Sequence, residues 1–198
     1  MVSLRRLALV SVLVITPVVS AYTYRINLSP LDIATGQDVP MDGTFDSFTN
    51  PGSPSLVDNG FTELSIAAEF DLSSIELPVA SATLNFVAES SNIPAVIEIH
   101  GYPGGGGVSL ADVGFRENLL GSVPGSSGTN SLDVTEFVKT SREAEHQLLG
   151  FSFDEALRTE TPPTNSFRNF QLIVETEDDG LTSSIIPLIP LLEQRKEN

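Results

Sequence analysis

Residues 63–72 alternate, with Leu64, Ile66, Ala68, Phe70 and Leu72 on one side and Glu63, Ser65, Ala67, Glu69 and Asp71 on the other. A period of two marks a strand with one face packed and one face wet. After a turn containing Pro78, residues 79–89 repeat the pattern with Ala82, Leu84, Phe86 and Ala88 inward, and residues 95–102 repeat it with Ile97 and Ile99. Three such strands in succession predict an antiparallel sheet. The same alternation runs through Tyr22 to Ser29, Gln147 to Asp154 and Asn169 to Thr176, where the inward rows include Leu149, Phe151, Phe153, Phe170, Leu172 and Val174. Shorter strands are expected at 44–48, 110–113, 119–123 and 131–134, separated by Gly- and Ser-rich turns. One helix is expected, from Asp133 to Arg142, with Asp133 as its cap, Glu136 three residues on, and Phe137 and Val138 facing inward. At under about four turns it is an accessory to a β fold rather than a layer of its own. The predicted fold class is therefore an all-β antiparallel sandwich with one short helix.

The two ends of the chain break this pattern. Residues 1–21 combine Arg5 and Arg6, an apolar run from Leu7 to Val19, and the small residues Ser20 and Ala21, which reads as a secretory signal peptide. Residues 22–176 form the expected sandwich domain. Residues 177–198 begin with the acidic linker Glu177-Asp178-Asp179-Gly180 and end in a short apolar tail. Pro187 and Pro190 interrupt that tail, so it cannot cross a bilayer as a helix, and no membrane span is expected in the exported chain.

Charge narrows the partners. A net charge of −16 repels phosphate backbones and excludes a nucleic-acid role. With no cysteine, disulfides, thiolate metal sites and cysteine nucleophiles are all absent. Asp32, Asp38, Asp42, Asp46 and Asp58 lie in a loop-rich region with Pro40, Pro51 and Pro54. They are candidate calcium ligands, but they lack the tight spacing of a dedicated calcium loop, and turn chemistry is the better account of them. No other cofactor is implied.

The candidate chemistry lies on the strands. Glu98, His100 and Tyr102 share the face opposite Ile97 and Ile99, placing a carboxylate, an imidazole and a phenol in one row that could hydrogen-bond and stack a sugar. Against this, the chain has no Trp and three Tyr, whereas sugar platforms draw on large exposed aromatics. Glu69 and Asp71 share a strand face at about 6.5 Å, a spacing compatible with glycoside hydrolysis by inversion, although paired carboxylates on a wet face are ordinarily just solvated. Gly107-Val108-Ser109-Leu110-Ala111 lacks the second glycine of a nucleophile elbow. Gly104 to Gly107 lack the Lys-Ser or Lys-Thr of a phosphate loop and read as a hairpin-like connection. Asn27-Leu28-Ser29 is a glycosylation sequon.

Four segments, Glu69 to Ile75, Ser81 to Phe86, Val96 to Tyr102 and Leu132 to Val138, resemble in wording and order the DNRLRE-type β-sandwich module of bacterial exported proteins that carry a PEP-CTERM sorting tail. The resemblance covers roughly Phe61 to Thr176. It implies a jelly-roll-like sandwich, placement outside the cell or at its surface, and a non-catalytic role in which carbohydrate is a candidate ligand. No Pro-Glu-Pro precedes Arg195, so sorting and anchoring are not carried over. The expected function is that of an exported structural or binding module of the bacterial envelope or extracellular matrix, with a polysaccharide or an envelope protein as partner. A stand-alone carbohydrate-binding protein is the alternative, and a glycoside-active enzyme the remote one.

Overall fold

The computed structural model describes residues 22–49, 54–58, 61–90, 96–124, 127–156 and 165–178. Within them the chain runs through β1 (Tyr22–Leu28), β2 (Asp32–Asp38), β3 (Ser47–Thr49), β4 (Ser55–Asp58), β5 (Glu63–Asp71), β6 (Val79–Ser90) and β7 (Val96–Pro103). It continues through α1 (Leu110–Val113), β8 (Leu119–Pro124), β9 (Gly128–Asp133), α2 (Thr135–Glu143), β10 (Leu148–Glu155) and β11 (Asn165–Asp178). The signal segment 1–21 and the tail from 179 onward lie outside the described residues. Among the described residues no helix is long and apolar enough to cross a membrane.

Every strand pairing is antiparallel. Sheet 1 has the order β1-β11-β6-β9, and sheet 2 the order β3-β2-β5-β10-β7-β8. The short β4 pairs with both β5 and β11 and ties the sheets together at one edge. Leaving aside β2, β3 and β4, the chain enters the two sheets in the sequence and spatial order of a jelly roll, so the expected sandwich is present with that winding.

The inward rows form the core. Ile66, Ala68 and Phe70 of β5 and Leu149, Phe151 and Phe153 of β10 meet Leu84 and Phe86 of β6 and Phe167, Phe170, Leu172 and Val174 of β11. Phe86 and Phe153 pack edge to face with centroids 5.3 Å apart, and Phe70 and Phe151 do the same at 5.7 Å. Each such ring, removed from water, contributes about 2–3 kcal/mol, so the alternation of large apolar residues is what drives the two faces together.

Several details differ from expectation. Leu110 to Val113 form a helix, not a strand, because Ser109 and Asp112 make a reciprocal capping box. The fold therefore has two short helices. The second, α2, begins at Thr135; Asp133 ends β9 and accepts from the Thr135 N–H, while Val134 occupies the cap position without a side-chain bond. Strands β2 and β4 carry few large apolar residues and escape a pattern search. β2 is held by pairing on both edges, with β5 and β3. β11 runs on to Asp178, opposite Tyr22, so Glu177 and Asp178 belong to the sheet rather than to a linker.

Candidate functional site

The outer face of sheet 2 carries the predicted row. β7 places Glu98, His100 and Tyr102 on that face, directly across from Asp154, Ser152 and Gly150 of β10. Segment 104–118, which contains α1, lies over this face and buries most of the row: His100 is 4% and Tyr102 2% exposed. The Tyr102 ring lies on Gly150, where an added Cβ would fall 2.1 Å from Cζ, and packs against Phe115 at 5.6 Å. No face of the ring is left for a sugar. The row expected to bind a ligand offers solvent only the partly exposed Glu98 carboxylate.

Four acids and one cation hold this cover down. Both Glu69 oxygens accept from the glycine run, from the N–H of Gly105 at 3.0 Å and of Gly106 at 2.9 Å, and Asp32 accepts from the Val108 N–H at 2.9 Å. Arg116 spends its whole guanidinium on the sheet and the cover. Nε donates to Asp154 at 2.6 Å, Nη2 to Ser65 at 2.8 Å with Glu63 at 3.3 Å, and Nη1 to Ser152 and to the carbonyls of Val113 and Phe115. Such a planar fork suits several fixed acceptors at once.

These bonds decide the other candidates. Glu69, fully buried, is committed to the glycine loop, whereas exposed Asp71 caps the turn at Ser73, whose N–H holds its carboxyl below the usual carboxylate range. The two share a face but no cleft, so the hydrolytic pair is not assembled. The glycine run joins β7 to α1 and is not a hairpin. Of the loop aspartates, Asp38 accepts from Asp42 and Gly43 N–H groups, Asp42 from Thr44 and Asp46 from Val39, which is turn chemistry. Among the described residues no three His, Asp or Glu side chains converge as a metal cluster.

His100 faces Glu98 on its own strand, Asp154 of β10 and Arg116 of the cover. Its Nε2 is 3.8 Å from Glu98 Oε2, too long for a hydrogen bond, and neither ring nitrogen makes a well-formed bond, the Arg116 backbone offering only a weak contact that favours the charged form. Burial, reinforced by Arg116, holds its pKa below the ordinary 6.5. The unfolded chain therefore takes up this proton first. The imidazole adds no pH dependence above about pH 6.5, and stability falls as pH drops below that value toward the folded pKa. A His100→Leu variant is expected to show a flatter fall in urea midpoint between about pH 6.5 and 5 than the parent, since it removes the titrating group and gives up no well-formed hydrogen bond. Parallel slopes would place the titration elsewhere.

The outer face of sheet 1 is different. Three rungs cross it: Arg25, Glu175 and Ser81; Asn27, Ile173, Thr83 and Asp133; and Gln171, Asn85 and Ser131. A shallow groove of about 270 Å³ runs over them, lined from all four strands. Ser131 donates to Asn85 Oδ1 at 2.6 Å and Ser81 to Glu175 at 2.9 Å. Tyr22 and Tyr24, though exposed, project from the opposite side of β1, so this face hydrogen-bonds and does not stack. The sequence reading did not single these residues out, because a wet row of Ser, Thr and Asn looks the same on any strand. The sequon residue Asn27 is exposed at the rim.

No family model and no curated protein matches this sequence. Among solved structures, a family two carbohydrate esterase from Cellvibrio japonicus overlays with a TM-score of 0.35 at 12% identity, over 79% of this chain and 34% of that one. The chain thus spans about a third of that protein's length. A likeness this distant carries no argument about activity.

Proposed function

We propose that the chain is an exported, non-catalytic binding or structural module of the bacterial envelope or extracellular matrix, of the DNRLRE-like kind its segments resemble. The observation that carries this reading is the way its acids and its half-buried arginine are used: Glu69, Asp32, Asp154 and Arg116 fasten a cover to the sheet. A general acid or nucleophile needs a free heteroatom beside a cavity, and these groups are bonded to backbone and to one another. A rigid sandwich with one face sealed and one polar face open is suited to holding a partner. The negative charge disfavours polyanions, nucleic acids included.

The partner is a polysaccharide or an envelope protein, bound without calcium, because Asp32, Asp38, Asp42 and Asp46 already serve backbone N–H groups. Affinity electrophoresis through gels containing single polysaccharides, with calcium and with chelator, tests this. The expected result is retardation by at least one polymer, unchanged by chelator and without release of sugar. Retardation lost in chelator would overturn the calcium-free account, and release of product would overturn the non-catalytic one. Retardation by none would leave a structural or protein-binding role.

A further inference from the structure

We propose that the outer face of sheet 1 is a polysaccharide site, and that its ligand is an uncharged, polyhydroxylated chain lying across the strands; this rests on the binding-module reading above. Apart from Ile173 at the centre, the rungs present hydrogen-bonding side chains on neighbouring strands about 4.8 Å apart, while successive rungs along a strand are about 6.7 Å apart. That lattice is regular in the direction perpendicular to the strands, the direction in which an extended chain of hexose units would cross both donors and acceptors.

The chemistry of the groove selects the ligand class. Ile173 is its one hydrocarbon side chain, so an apolar ligand would bury little area against it. Hydroxyl groups find both kinds of partner there: the Arg25 guanidinium and the Asn85 amide hydrogens as donors, and Thr83, Ser131 and Glu175 as acceptors. The oxygen of Asn85 is fixed by Ser131, whereas its amide hydrogens have no protein partner among the described residues. Arg25 faces Glu175 across the strand pair, so the groove is not a cationic trap, and the net charge of −16 keeps acidic polymers away. Because Ser131 holds Asn85 and Ser81 holds Glu175 before anything binds, little side-chain entropy remains to be lost.

The test uses galactomannan, xyloglucan and hydroxyethylcellulose as neutral polymers and alginate and polygalacturonate as acidic ones. On a polymer that retards the parent, an Arg25→Ala/Asn85→Ala variant is expected to bind about tenfold more weakly. Thr83→Lys, which fills the groove and replaces the Thr83 acceptor with an ammonium, is expected to do the same, and Glu117→Ala on the exposed part of the cover is expected to change nothing. Urea midpoints confirm that each variant is folded. If both groove variants are retarded like the parent, the ligand sits elsewhere and this site is wrong while the binding-module reading stands. Retardation by the acidic polymers alone overturns the ligand class. Retardation by no polymer overturns the site and the carbohydrate half of the function together.

Discussion

Replacing Arg116 with alanine is expected to lower the unfolding free energy by about 3 kcal/mol, seen as a lower urea midpoint at unchanged slope. The side chain is 27% exposed, which places the expected loss at the lower end of what breaking a buried ion pair costs. What is lost is more than one pair. Asp154 and Glu63 are left without their cation, and the bonds that tie the carbonyls of Val113 and Phe115 to the sheet disappear. Lysine at this position is expected to recover less than half, because one ammonium cannot serve Asp154, Ser65 and Ser152 from a single point. A loss under about 1 kcal/mol would class Arg116 with surface ion pairs and remove it as the fastening of the cover.

Gly150→Ala is expected to cost about as much, for a steric reason. Gly150 lies directly across from Tyr102, and the new methyl group would sit 2.1 Å from Cζ and 2.5 Å from Oη of a ring that is 2% exposed. The ring has to leave its place, breaking its packing on Phe115 and lifting the cover. Overpacking of this kind costs about 1–3 kcal/mol or more. The double variant Gly150→Ala/Tyr102→Leu separates this cause from a general backbone effect: a smaller side chain on β7 is expected to return part of the loss, giving a coupling energy above about 1 kcal/mol. Additive losses would show that the ring does not occupy the space over Gly150.

The alternation of Phe, Leu and Ile made β5, β6, β7, β10 and the latter part of β11 legible, since a row of large apolar residues at period two has one place to go. Ala34, Thr35 and Gly36 in β2 have no such row, and that strand exists because two neighbours offer it hydrogen bonds. The helix α1 was legible in principle, from Ser109 followed by Asp112, but the apolar Leu110 and Val113 read equally well as a strand. The same period correctly put Glu98, His100 and Tyr102 on one face. What it could not show is that Arg116 reaches Glu63 and Asp154, residues 53 and 38 positions away in the chain, and brings a cover over that face. A hint was present in Gly150 and Ala67, small residues on an outer face that leave room for a second layer. The open face of sheet 1 was legible as wet but not as a site, because polar side chains acquire meaning only from the register that lines them up.

The account stands on one face of the sandwich being sealed, and the chain supplies its own controls for that. It has two histidines and three tyrosines; His100 and Tyr102 lie under the cover, while His146, Tyr22 and Tyr24 are exposed. Acylation of histidine by diethyl pyrocarbonate and nitration of tyrosine by tetranitromethane, both followed residue by residue by peptide mass spectrometry, measure the seal in the folded protein. The expected result is that His146, Tyr22 and Tyr24 react readily while His100 and Tyr102 react at least about tenfold more slowly, the protection disappearing in denaturant. Equal rates for the buried and exposed residues in the folded protein would mean that the cover is open in solution. That outcome would contradict the sealed face and return Glu98, His100 and Tyr102 as a surface a ligand can reach.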